Sequence, residues 1–179
     1  MLSATILFPD PNVGIESLLL KLGFKKDENM FTYMTTNTLL IEAVLDPFTC
    51  SMKWTFSPGL TLEEYTAIHS LIKLIKEQFH LTVDDRDSLL GYTSNGEEAY
   101  IFTNWEKWFV FLQDAKLKTL EGNQIRILDE ANKEIASGMF VSHITEKNST
   151  SIIECTVITI FGEKTFIGNK LTIQPTNEW

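Results

Sequence analysis

Alternating apolar and polar positions predict strands along much of this chain. In residues 50–56 the apolar side chains of Met52, Trp54 and Phe56 alternate with polar Lys53 and Thr55. This two-residue period places one face of a strand in a core and the other toward solvent. Other strands of the first half are predicted at residues 5–8, 31–35, 38–45, 81–83 and 100–102.

Apolar residues at helical spacing predict three helices. The best-defined begins at Thr61, whose side chain can cap the helix while Glu64 reaches back in a capping box. Its apolar stripe runs through Tyr65, Ile68, Leu71, Ile72, Ile75 and Phe79. The other two helices are predicted at residues 13–22, which end before Gly23, and near residues 104–114.

The last third of the chain contains strand and turn signals only. Five short strands are predicted at residues 124–128, 135–145, 151–161, 164–167 and 171–174. Strands so short and so close together suit a small, strongly bent barrel, and Gly138 permits a bend in the second of them. We therefore predict an α+β protein. Residues 1–116 form a domain with a mixed sheet and two or three helices, and residues 117–179 form a strand-only, barrel-like module packed on it.

Parts of this module resemble a known family. Residues 120–127 and 136–141 resemble the opening strands of the Sm-like family, or more loosely an SH3-like barrel. Residues 166–173, with a Gly-Asn pair, resemble that family's closing segment. The resemblance implies a small barrel, and in that family also RNA binding. However, Ile167 stands where the family normally has Arg, and its base-contacting Asp and Asn have no clear counterpart in residues 143–149.

The charge of the chain favours some partners over others. The net charge is −9, of which −7 lies in residues 1–116 and −2 in residues 117–179. Nucleic-acid binding requires a basic surface that neither part provides. An acidic protein is steered toward basic partners and is repelled by anionic membranes. We therefore predict a protein partner with a basic surface, and neither nucleic acid nor a membrane.

The chain shows no targeting signal that would change this picture. Its N-terminus lacks a basic region followed by an apolar one, and no apolar run approaches the about 18 residues of a membrane span. A cytoplasmic location is therefore expected. Cys50 and Cys155 stand in apolar stretches and are predicted to be buried small side chains.

The sequence contains no motif for catalysis or metal binding. His69, His80 and His143 lack the spacing of a metal site. Residues 84–87 gather carboxylates close to His80, but without the ligand spacing, glycine and final Glu of a calcium loop. Nucleophile elbows, phosphate loops and dinucleotide fingerprints are also missing. We therefore predict no catalytic residue, metal ligand or cofactor, although residues distant in sequence can converge in space.

The leading functional hypothesis is a cytoplasmic binding protein that blocks or sequesters a partner, as immunity proteins, antitoxins and phage-encoded inhibitors do. One alternative is an enzyme or small-ligand protein whose pocket lies between the two halves and contains His80 or His143 with several carboxylates. A third is an Sm-like nucleic-acid module. The identity of the partner and the oligomeric state stay open. The contact residues predicted by the leading hypothesis are one exposed acidic run and the C-terminal tryptophan: Asp84, Asp85, Asp87, Glu97, Glu98 and Trp179.

Overall fold

The computed structural model describes residues 1–9, 14–35, 38–147 and 149–176. The chain forms two compact units, Met1–Trp105 and Glu106–Trp179. Within the described residues the protein is mainly β, with three helices and twelve strands. The predicted domain ranges stay a prediction.

Most elements of the first unit belong to, or pack on, one sheet. In chain order they are β1 (Leu2–Leu7), α1 (Ile15–Lys21), β2 (Lys25–Asp27), β3 (Met30–Met34), β4 (Leu39–Asp46), β5 (Ser51–Phe56), α2 (Leu62–Phe79), β6 (Thr82–Asp84), β7 (Leu89–Tyr92) and β8 (Glu98–Tyr100). Six strands form a sheet in the order β2-β3-β4-β5-β1-β6, and β7 pairs with β8 alone. Every pairing among the described residues of the large sheet is antiparallel, so the expectation of a mixed sheet is wrong.

Strand β5 confirms the alternation seen in the sequence. Met52, Trp54 and Phe56 are at most 2% exposed, so one face of this strand lies in the core. The neighbouring strand β1 places Ala4 opposite Trp54 and Ile6 opposite Met52, and both of these residues are also buried. Each fully buried large side chain of this kind stabilises the fold by about 1.5–3 kcal/mol.

Helix α2 covers the core with the stripe that the sequence predicts. Its capping box is confirmed: the Glu64 N–H donates to Thr61 Oγ1 (3.2 Å) and the Thr61 N–H donates to Glu64 Oε2 (2.8 Å). Ile68, Ile72 and Ile75 are fully buried, and α2 lies against β4. None of the described helices is long and apolar enough to span a membrane.

The second unit contains a closed barrel of four strands. Helix α3 (Trp105–Lys118) precedes β9 (Gln124–Leu128), β10 (Glu134–Thr145), β11 (Ile152–Thr159) and β12 (Gly162–Pro175). The strands close in the order β10-β11-β12-β9, with β9 and β10 also paired. The prediction of five strands is wrong, because residues 164–167 and 171–174 belong to one continuous strand.

The barrel closes because its two longest strands each change neighbour along their length. The first half of β10 pairs with β9 and its second half with β11, and the change occurs at Met139. In the same way β12 pairs first with β11 and then, from Thr172 onward, with β9. The register between β11 and β12 shifts where β12 contains Gly168, so this strand bulges at its corner. The bulge lies between residues 164–167 and 171–174, which the sequence pattern predicted as two separate strands.

Gly138 lies at the corner of β10, as its position in the sequence suggested. A Cβ atom added there would lie 2.5 Å from the carbonyl oxygen of Ile158 on β11. The bend therefore requires glycine, because the two backbones approach too closely for a side chain. The side chains buried inside the barrel are Ile125, Ile127, Phe140, Ile152, Cys155, Val157 and Leu171.

Candidate functional site

Asp85 is buried, and its carboxylate holds the segment after β8 in place. The side chain accepts hydrogen bonds from the Phe102 N–H (2.8 Å), the Thr103 N–H (2.7 Å) and the Thr103 hydroxyl (2.8 Å). The residue is only 3% exposed. The expectation that Asp85 belongs to an exposed acidic run is therefore wrong, because this carboxylate satisfies backbone donors inside the unit.

The neighbouring acidic residues have different surroundings. The Arg86 guanidinium donates to both carboxylate oxygens of Asp84, with Nε–Oδ1 at 2.8 Å and Nη2–Oδ2 at 2.6 Å. These hydrogen bonds lower the pKa of Asp84 to about 2, so Arg86 offsets the charge of Asp84 at neutral pH. Asp87 is exposed, and its backbone carbonyl accepts from the Ser3 N–H (3.1 Å). Of the three acidic residues in this turn, Asp87 is therefore the exposed one.

Strands β7 and β8 present an outward face of mixed character. Leu89 stands opposite Tyr100, and Tyr92 stands opposite Glu98. The Tyr100 hydroxyl donates to Glu98 Oε2, while the intervening Ala99 is buried on the other side. Tyr92 is 55% exposed and Leu89 is 39% exposed. We call the four side chains of this outward side the hairpin face: Leu89, Tyr92, Glu98 and Tyr100.

The electrostatics of the hairpin face keep the Tyr100 phenol protonated. The hydrogen bond to Glu98 is the largest of the causes that raise the pKa of Tyr100, and the negative charges of Glu98 and Asp85 act in the same direction. Glu97, next to Glu98, is exposed. Trp179 lies outside the described residues.

His69 and His143 are parts of packed structure. The His69 ring stacks on Trp105 at a centroid distance of 4.6 Å, and its Nδ1–H donates to the Ile101 carbonyl (2.9 Å). In the second unit His143 Nε2 lies 3.0 Å from Asp114 Oδ1, and the side chain of this histidine is 3% exposed. His69 thus connects α2 to the segment after β8, and His143 connects β10 to α3.

Cys155 on β11 stands opposite His143 on the adjacent strand β10. A nucleophilic cysteine needs a neighbouring base such as histidine. Burial raises the pKa of the Cys155 thiol to about 11, so the sulfur is held as a neutral thiol in the barrel core. This burial confirms what its apolar sequence context indicated. Cys50 differs, because it is only partly buried.

His80 lines a depression at the C-terminal end of α2. The depression has a volume of about 380 Å³, and we call it the basic depression because two lysines rim it. The sequence pattern gave a signal that was missed: positions 73, 76, 77 and 80 share one helix face. Within the described residues no group of three or more His, Cys, Asp or Glu side chains could hold a metal ion. The residues that line the basic depression are Lys73, Lys76, Glu77, His80, Leu81 and Phe102.

A second surface was also missed by the sequence analysis. The turn between β11 and β12 exposes 94% of Ile160 and 79% of Phe161, and we call these two residues the apolar tip. Thr159 fixes the turn, since its Oγ1 donates to the Gly162 carbonyl (3.0 Å) and accepts from the Phe161 N–H (3.1 Å). The signal was two large apolar residues directly before a turn glycine, where polar residues are usual.

No family model, curated protein or solved structure matches this chain. The Sm-like resemblance of the last third stays a prediction.

Proposed function

We propose that this protein binds a protein partner with a basic surface through the hairpin face, and that binding blocks or sequesters the partner. The observation that carries the proposal is the composition of that face. Two tyrosines and a leucine surround a carboxylate on an outward surface. Tyrosine is a favoured anchor of protein interfaces, and charged groups around an anchor set the choice of partner. The proposed role is that of an immunity protein, an antitoxin or a phage-encoded inhibitor, each of which blocks or sequesters a partner.

The surroundings of the acidic residues reduce the number of them that we propose as contacts. Asp85 accepts hydrogen bonds inside the unit and Arg86 offsets the charge of Asp84, so the proposed contacts are Asp87 and Glu98, while Glu97 remains a predicted contact. The net charge of −9 adds long-range attraction toward a basic partner and makes association faster at low salt. Trp179 remains a predicted contact.

Two other functions stay open as predictions. An enzyme or small-ligand protein would place His80 or His143 in a concave site with several carboxylates. An Sm-like nucleic-acid module would form oligomers and bind RNA in a salt-dependent way. The proposed cytoplasmic location follows from the sequence signals and is part of the same proposal.

The test is affinity capture from the native host with the full chain at low and high salt. We expect a stoichiometric protein partner at low salt, weaker capture at high salt, and loss of capture in Tyr92→Ala and Glu98→Lys. Each hot-spot change should weaken binding by about 2 kcal/mol or more. Glu63→Lys on α2 is the control, because it makes the same charge change at another exposed position. Recovery of no stoichiometric protein at low salt, or an equal loss in Glu63→Lys, contradicts the proposal.

A further inference from the structure

The basic depression differs in charge from the rest of its unit. Residues 1–105 contain seven Lys and Arg against fourteen Asp and Glu, yet the lining of this depression holds two lysines and one glutamate. Lysines near the C-terminus of a helix also complement its dipole, which accounts for charge at this position. The helix dipole does not explain why an aromatic ring lies beside these lysines.

The ring in question belongs to Phe102, and several contacts fix its position. Asp85 accepts a hydrogen bond from the Phe102 N–H (2.8 Å), which anchors the backbone. The His69 ring stacks on the Phe102 ring at a centroid distance of 5.8 Å. Lys76 Nζ lies 4.4 Å from the Phe102 ring centroid, in a cation–π contact. An ammonium group and an aromatic wall are thus placed together before any ligand arrives.

The turn at the end of α2 completes this arrangement. His80 adopts a left-handed conformation (φ 51°), and its N–H donates to the Lys76 carbonyl. The Leu81 N–H donates to the same carbonyl (3.2 Å), so the chain reverses direction directly beside Lys76. Leu81 also lines the depression, but it is only 3% exposed, so Phe102 provides the apolar surface that a ligand can reach.

We propose that the basic depression binds a small aromatic anion, meaning a planar ring that bears a carboxylate or a phosphate. The ring packs against Phe102, and the anionic group meets the ammonium group of Lys76. A volume of about 380 Å³ lies at the lower end of the range for small-molecule sites. Because the Lys76 ammonium group and the Phe102 ring are already positioned, these side chains lose little conformational freedom when a ligand binds. This proposal does not depend on the hairpin face.

The test is a titration of the ¹⁵N-labelled full chain followed by NMR. Benzoate and phenyl phosphate carry a ring with the two kinds of anionic group, while benzamide lacks the charge and inorganic phosphate lacks the ring. We expect saturable shifts of amide signals in residues 76–81 and 101–103 with the first two probes. The tighter of these two identifies the preferred anionic group. Benzamide and inorganic phosphate should bind about tenfold more weakly, because each loses one of the two contributions.

Variants assign the effect to the named side chains. Lys76→Gln should weaken binding of the aromatic anions about tenfold, and Lys76→Arg should restore most of it because the charge remains. Phe102→Leu keeps an apolar side chain without the aromatic ring and should also weaken binding. Lys53→Gln on β5 is the matched control, and thermal unfolding verifies that each variant folds. Three results would overturn the proposal: no saturable shift up to about 10 mM of either aromatic anion, equal binding of benzamide, or an equal loss in Lys53→Gln.

Discussion

Asp85 shows how one side chain can hold together two segments that are distant in sequence. Its carboxylate accepts from Phe102 and Thr103, so it connects the turn after β6 to the segment after β8. Ser88 reinforces the same junction, since its hydroxyl donates to the Asp85 carbonyl (2.6 Å) and accepts from the Ile101 N–H (3.1 Å). The position of the Phe102 ring in the basic depression therefore depends on a carboxylate outside its lining.

Asp85→Asn should lower the free energy of unfolding by about 2 kcal/mol, because hydrogen bonds to a charged acceptor become weaker or are lost. Urea unfolding measures the change. Asp87→Asn is the control: its exposed side chain should give a change within about 0.5 kcal/mol. Equal effects of the two substitutions would show that the Asp85 carboxylate does not stabilise this junction.

Asp114 provides a prediction for acid pH. The hydrogen bond and charge of Lys118 are the main reason that the pKa of Asp114 lies below the ordinary value of an aspartate, and His143 acts in the same direction. A carboxyl group with a lowered folded-state pKa stabilises the protein above its unfolded-state pKa and loses this contribution as the pH falls through the folded-state value. The stability difference between wild type and Asp114→Asn should therefore be present at about pH 5 and shrink below pH 3.8.

Urea unfolding at a series of acidic pH values measures that difference. Glu130→Gln, in the exposed turn between β9 and β10, is the control and should show no such trend. The Asp114 side chain is one third exposed, so solvent screens its interactions and the effect should be modest. A difference that grows as the pH falls through this window would contradict the assignment.

At the scale of elements, the corners of β10 and β12 determine whether the barrel can close. Each of these strands serves two neighbours, and each changes neighbour close to a glycine, Gly138 or Gly168. A Cβ atom on Gly138 would meet a backbone carbonyl, whereas one on Gly168 would meet the end of the Leu171 side chain at 2.7 Å. A side chain can move aside more easily than a paired strand can.

Gly138→Ala should therefore destabilise the protein by about 2 kcal/mol or more, within the range of overpacking and backbone strain. Gly168→Ala is the matched comparison and should cost less, because Leu171 can adopt another rotamer. Thermal unfolding with circular dichroism measures both changes. The reverse order of effects would show that the close contact with Ile158 does not limit the corner of β10.

The elements that the sequence predicted correctly are those with local signals. The capping box at Thr61 and the alternation in β5 involve residues only a few positions apart, and the structure contains both. Strand β2 was missed because its three residues, Lys25–Asp27, are all exposed and show no periodicity. Strand β7 was missed because its pairing with β8 is irregular, with a register shift between Leu89 and Gly91. Asp85 appeared to be exposed because its partners lie 17 and 18 positions away.

For the whole molecule, the excess of negative charge should make stability depend on salt. A net charge of −9 produces self-repulsion in the folded state, which dissolved ions screen. Exposed ion pairs such as Arg86–Asp84 oppose this trend, but each contributes little. The thermal midpoint should rise when the ionic strength increases from about 0.01 to 0.15 M at neutral pH.

Differential scanning calorimetry at the two ionic strengths measures the shift. A control series at pH 4.8, the isoelectric point, should show little or no rise because the net charge vanishes there. A midpoint that falls with salt at neutral pH would show that local ion pairs outweigh the overall repulsion.

The closed barrel also affects the tendency of exposed apolar residues in the second unit to cause aggregation. Exposed Ile160 and Phe161 beside a free strand edge would form a template onto which other chains could add strands and aggregate. Each of the four strands pairs with two others, but β10 and β12 pair with one neighbour at a time, so among the described residues each half of these two strands keeps one side without a ladder partner. Barrel closure therefore shortens the open edge near the apolar tip without removing it, because β12 pairs only with β11 in the residues that follow the tip.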